Sequence, residues 1–176
     1  MKIDLFLHLK AKSEFPEYQL SLFNLVPSCH ICNSTLKRQI KFDESNYLNP
    51  YKKDFDSIVK FELILKGADY LNEEDFDICF KMKDKTSLDN KLAESNIGVF
   101  KLKERYAFHK NEVIKIAKAA KYYHRHKKKE IEDLVSGTDL PLETILFPNM
   151  NCEINQIGLG KLKRDISRKF MTTIIT

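Results

Sequence analysis

Long hydrophobic runs are missing from this sequence. No apolar stretch approaches the roughly 20 residues that a bilayer-crossing helix needs, so a membrane is not expected among the partners. The apolar start from Ile3 to Leu9 is interrupted by Asp4 and His8, and no small-residue cleavage site follows, so no signal peptide is expected. Cysteine is scarce as well. Only two of the 4 cysteines in 176 residues are closely spaced, which excludes a disulfide framework and points to a reducing cytoplasm. There is no internal repeat, and low complexity is confined to the run Lys127 to Lys129, so solenoids and biased tracts are excluded. Core-forming residues are not lacking: with 43% hydrophobic and 31% charged residues, the chain reads as ordered rather than disordered. Its formal charge of +5 permits nucleic-acid binding without demanding it.

What is present centres on residues 22–37, which hold the paired Cys29 and Cys32. A Cys-x-x-Cys turn sets two thiolates on one side of a tight loop, the spacing zinc takes in small metal-held fingers. One pair is half of a tetrahedral site. Taken alone it also suits a redox turn or two reduced thiols.

The rest of the chain predicts an α+β protein. Residues 22–28 are short and apolar and reach Pro27, which reads as a brief strand or turn entry. Asn33 and Ser34 are good helix starters, with Leu36 and Ile40 spaced for a short helix. Residues 58–65 and 76–82 alternate well enough to predict a small β-hairpin. A helix is expected from Thr86 or Ser87 through Leu92, ending near Asn96 to Gly98. Leu102, Tyr106, Val113, Ile116, Ala120, Tyr123, Ile131 and Leu134 recur at three- and four-residue steps, predicting a long helical region over 100–135 that Asn111 divides. Residues 137–148 read as a long loop because they hold two prolines and a glycine, and a last helix is expected over 159–170.

Asn24-Leu25-Val26-Pro27 before the cysteine pair and Asn33 just after it resemble the HNH endonuclease family. The resemblance reaches upstream to His8 and downstream to Leu48-Asn49-Pro50, under a third of the chain. It implies a ββα-metal finger over 1–56, truncated at its N-terminus and lacking the family's upstream cysteine pair, followed by a β-hairpin and a mostly helical region over 57–176. It further implies that His8 is the general base, that Asn24 tethers the loop and that Asn33 binds a catalytic Mg or Mn ion. Cys29 and Cys32 would hold a structural Zn half-site. Where many relatives carry an Asp before the His, this chain has Leu7, and Leu7→Asp is expected to strengthen metal binding. The implied activity is hydrolysis of DNA phosphodiester bonds, with DNA and a partner protein of a defence system against foreign DNA as partners. The alternative is a catalytically degenerate module that binds nucleic acid or protein.

Basic residues are concentrated downstream. Residues 101–130 hold 11 Lys or Arg against 3 Glu, an excess of 8 that is larger than the net +5 of the whole chain. Beside a nuclease-like finger, contact with the phosphate backbone is the expected use of Lys118, Lys121, Arg125, Lys127, Lys128 and Lys129, joined by Lys37 and Arg38 next to the cysteine pair. Lys161, Lys163, Arg164, Arg168 and Lys169 are expected to extend that surface. His30 is expected to be exposed, and His124 and His126, two apart on a helix, make a poor metal pair.

Overall fold

The computed structural model describes residues 5–38, 40–83, 88–123, 125–137, 142–151, 153–154 and 156–175. It is mixed α+β, about 51% helical, with two small antiparallel hairpins. The chain forms two compact units, and neither is an uninterrupted length of sequence. Unit 1 takes residues 1–59 and 82–104; unit 2 takes 60–81 and 105–176. No helix among the described residues is long and apolar enough to cross a membrane.

Unit 1 opens with strand β1 (Leu5–His8), paired antiparallel to β2 (Leu25–Ser28) with Leu7 opposite Val26 and His8 opposite Leu25. Side chains alternate across this ribbon, so Leu7 is buried while its neighbour Phe6 is 53% exposed. Directly after β2 the chain winds into a seven-residue helix, Ile31–Lys37. This helix is wider than an α-helix, and the Arg38 amide donates to the Asn33 carbonyl five residues back, at 3.2 Å. Short α1 (Phe55–Ile58) and longer α2 (Leu88–Val99) complete the unit. Asn96 on α2 fixes the loop before α1. Its amide accepts from Leu48 N at 3.0 Å and donates to Leu48 O at 3.1 Å, with the Leu48 side chain buried. The Tyr51 hydroxyl donates to the Leu25 carbonyl, tying the same loop to β2.

Unit 2 is built on strands β3 (Val59–Leu65) and β4 (Phe76–Met82), apart from their end residues Val59 and Met82. Alternation predicts both strands and fixes their faces: Phe61 and Leu63 of β3 and Phe76 and Ile78 of β4 enter one core. The other wall of that core is Val113, Ile116 and Ala120 of α4 (Lys110–Tyr122) with Leu162 and Ile166 of α7 (Gly160–Ile175). A two-stranded sheet leaves the outer edge of β3 with unpaired backbone groups, and α7 covers it. Asp165 accepts from the Phe61 amide at 2.9 Å, and the Lys169 ammonium donates to the Leu63 carbonyl at 3.0 Å.

Three expectations need correction here. The helical region over 100–135 breaks on either side of Asn111 and not at it. It forms α3 (Leu102–Ala107), α4 and α5 (Arg125–Val135), and the first break falls at Phe108 and His109, where His109 leaves helical geometry at φ −108° and ψ 22°. Phe108 is 84% exposed, so no core contact holds that turn in helical register. The supposed loop over 137–148 contains α6 (Leu142–Leu146). Leu146 and Phe147 bury in the unit 2 core, and that burial outweighs the local signals for a turn. The basic residues of α7 are largely spent inside unit 2. Lys161 and Arg164 pair with Asp165, Lys163 pairs with Glu112, and of the five only Arg168 is exposed.

Candidate functional site

The most constrained polar residue of unit 1 is Asn24, at 4% exposure. It closes the loop that leaves β1 and returns to β2. Its Oδ1 accepts from the Lys10 amide at 2.6 Å, and its Nδ2 donates to the carbonyls of Lys10 at 3.1 Å and Tyr18 at 3.0 Å. The Asn24 carbonyl takes the Leu9 amide at 3.0 Å, which extends the ribbon by one step. These partners leave one orientation of the amide, since a backbone N–H needs the oxygen and two carbonyls need the nitrogen.

His8 ends β1 at the mouth of this loop. Its Nε2 lies 3.2 Å from the Gln19 carbonyl, which can only accept, so the proton of the neutral ring sits on Nε2. That leaves the Nδ1 lone pair to take a proton. Asn33, in the helix after β2, donates Nδ2 to the Phe6 carbonyl at 3.3 Å, two residues ahead of His8. Its Oδ1 remains as an oxygen donor. The structure thus attaches His8, Asn24 and Asn33 to one β-β-helix element.

Cys29 and Cys32 flank the start of the helix as half-buried side chains, and His30 between them is exposed. Among the described residues no three His, Cys, Asp or Glu gather in a way that would hold a metal ion. The two cysteines alone amount to half of the four ligands a structural zinc takes, so with the described residues they do not form a closed site. Cys79, on β4, has its thiol 3.3 Å from the Glu62 carbonyl, and Cys152 lies outside the described residues.

Position 7 does not behave as the resemblance implies. Leu7 is only 3% exposed, on the core side of the ribbon. Leu7→Asp would bury a carboxylate among apolar side chains and would destabilise the strand rather than strengthen a metal site. Lys37 departs from its expected role too. It is 5% exposed with its ammonium 5.5 Å from the centre of the Phe42 ring, and burial pushes its pKa down. A buried cation is badly placed to meet phosphate. Arg38, which ends the helix at φ 44°, is exposed.

In unit 2, Lys118 and Lys121 of α4 and Lys127 and Lys129 of α5 are exposed, while the side chains of Arg125 and Lys128, like all of His124, lie outside the described residues. Lys121 is 3.7 Å from Asp69, a loose surface pair. The Lys127 ammonium rests 4.5 Å from the Tyr122 ring centre and donates to its hydroxyl at 3.1 Å.

Unit 1 also has a cavity that the sequence reading missed. It is a half-open cleft of about 810 Å³, and Asn24 and Lys10 form part of its wall. Phe15, Tyr18, Phe23, Phe42 and Tyr47 line it. The available signal was the interleaving of these rings with Lys10, Lys12, Lys41 and Lys52, which follows no helical or strand period. Compared with known proteins, the chain matches no protein-family model, no curated protein and no solved structure.

Proposed function

We propose that this chain is an HNH-type endonuclease that hydrolyses DNA phosphodiester bonds, with His8 as the general base. The observation that carries the reading is Asn24. A buried amide bonded three times to the backbone of the loop after His8 is what the tethering Asn of that family supplies. The general base needs a neutral imidazole with one nitrogen anchored and the other open, and the bond from Nε2 to Gln19 supports that arrangement. In the proposed step Nδ1 takes a proton from water as its oxygen bonds to phosphorus. The bond from phosphorus to the leaving oxygen breaks, and that oxygen takes a proton from solvent. A Mg or Mn ion would neutralise phosphate charge, but the described residues offer it Asn33 Oδ1 alone and do not by themselves form a hard-cation site. The chemistry they account for is proton transfer. Action against foreign DNA remains an implication of the family resemblance.

The test is nicking of supercoiled plasmid at millimolar manganese. The wild-type chain should nick, and His8→Ala should slow nicking by roughly 10²–10⁴-fold, the usual worth of a general base. Nicking that survives His8→Ala at the wild-type rate would refute the role given to His8. No nicking by a folded wild-type chain would refute the enzyme. The second reading, a binding module without catalysis, is favoured by one observation: Leu7 is buried where the family has a metal-binding carboxylate. That reading predicts DNA retention through Lys118, Lys121, Lys127 and Lys129 with no cleavage at any metal concentration.

A further inference from the structure

The cavity of unit 1 has no part in the proton transfer just described, and its lining is rich in aromatic rings that water can reach. Tyr18 is 39% exposed, Phe15 38% and Phe23 76%, and all three line a half-open cleft of about 810 Å³. Rings buried for stability alone would not be left so open to water. Phe42 and Tyr47 stack on each other with centroids 4.4 Å apart and planes 29° apart, and both line the cleft. Opposite in character, the Lys10 ammonium lies 4.2 Å from the Tyr18 ring centre and 5.3 Å from that of Phe15. Its backbone is fixed at both N–H and C=O by Asn24. The volume falls within the roughly 300–1,000 Å³ of small-ligand sites.

We propose that this cavity receives an unpaired nucleobase, so that unit 1 engages single-stranded nucleic acid. The inference rests on the nuclease reading only for its biological sense, since the walls would bind a base whether or not His8 acts. Exposed rings beside lysine form a stacking platform that tolerates any base, because every base has a π-face. Duplex bases cannot reach such a cavity without leaving their stack, whereas unpaired ones enter freely. The fixed charges argue for stacking over charge as the source of affinity. Lys10, Lys41 and Lys52 are offset by Glu14, Asp43 and Glu44 in the same walls. Lys41 pairs with Glu14 at 2.7 Å and Lys52 with Glu44 at 2.6 Å. Phosphate therefore finds no net positive charge in the cavity, and the base, not the backbone, carries recognition.

The experiment uses the full chain with fluorescein-labelled oligo(dT), oligo(U) and a duplex of mixed sequence, read by fluorescence anisotropy. Phe23→Ala and Tyr18→Ala remove exposed rings, so the variants should fold, and an unchanged melting temperature confirms it. Each should weaken binding of oligo(dT), oligo(U) or both by roughly tenfold, which corresponds to about 1.4 kcal/mol per ring. The loss should be the same at low and high salt, and duplex affinity should stay within about twofold. A loss confined to oligo(dT) identifies DNA as the ligand, and one confined to oligo(U) identifies RNA. Unchanged affinity for both oligomers, or an equal loss on duplex, would overturn the proposal. His8→Ala separates this test from the previous one. Oligomer binding retained by His8→Ala without plasmid nicking in any variant defeats the nuclease alone, whereas nicking with ring-independent binding defeats the cavity site alone.

Discussion

A single amide sets the geometry around His8. Asn24 gives the loop its two carbonyl contacts and one amide contact, and no other side chain of its size offers an acceptor and two donors in that arrangement. Asn24→Ala should therefore cost roughly 1–3 kcal/mol, because it removes three hydrogen bonds to the Lys10 amide and to the Lys10 and Tyr18 carbonyls in a part-buried site. Asn24→Asp is isosteric, yet it should cost at least as much near neutral pH. The carboxylate still accepts from Lys10 but turns a second acceptor toward the Lys10 and Tyr18 carbonyls. Urea unfolding of the two variants checks this, and an Asp variant as stable as wild type would show that the amide's donors contribute nothing. Asn24 and His8 stand out in the sequence because their residue types and spacing carry a pattern, and the structure adds the hydrogen bonds by which Asn24 closes the loop after His8. The burial of Leu7 and Lys37 was not, since both depend on which side of the ribbon or helix meets the core. A strand offers two faces, and nothing in the local sequence around Leu7 says which one the neighbouring elements will cover.

At the scale of elements, the predicted strands β3 and β4 were found because two-residue alternation and burial agree there. The basic helix α7 was misread for a reason of the same kind. Its lysines look solvent-facing in isolation, and only the open edge of β3 explains why Lys169 and the Asp165 cluster turn inward. The cavity walls come from irregular segments between residues 9 and 52, where no period exists to read. Element ends are a further source of testable detail. Helix α2 stops at Val99, and Lys101 just beyond it is exposed with φ 48°, a conformation that glycine adopts without strain. Lys101→Gly should raise stability by about 0.5–1 kcal/mol, whereas Lys91→Gly, at an exposed site inside α2, should lower it by about as much. Opposite signs in thermal melts are expected. A loss of stability in both variants would mean that the backbone at residue 101 carries no strain.

For the molecule as a whole, acid should act on unit 2 through three carboxylates and on unit 1 through Glu44, which a hydrogen bond from Lys52 holds low. Glu62, Asp77 and Glu112 are all held below the usual carboxylate range, chiefly by hydrogen bonds from Lys81, Lys66 and Lys115 respectively. A lowered folded-state pKa means stability that is present above the ordinary values of 3.8 to 4.5 and is lost as pH falls through the folded-state values. The melting temperature of unit 2 should therefore decline between about pH 5 and about pH 3, and less steeply in high salt, because these pairs face solvent. A melting temperature flat across that range would remove the ion pairs from the account of stability. The interleaving of the two units has a consequence for how the chain is made. A ribosome delivers residues in order, so the Leu48 loop waits for Asn96 and the edge of β3 waits for Asp165, which lies 104 residues beyond Phe61. At typical elongation rates, that edge stays open for roughly 5–20 s in every nascent chain. Throughout that interval the hairpin can be captured by a chaperone or by the same hairpin on the next ribosome, so the vulnerable moment for this protein comes during its synthesis.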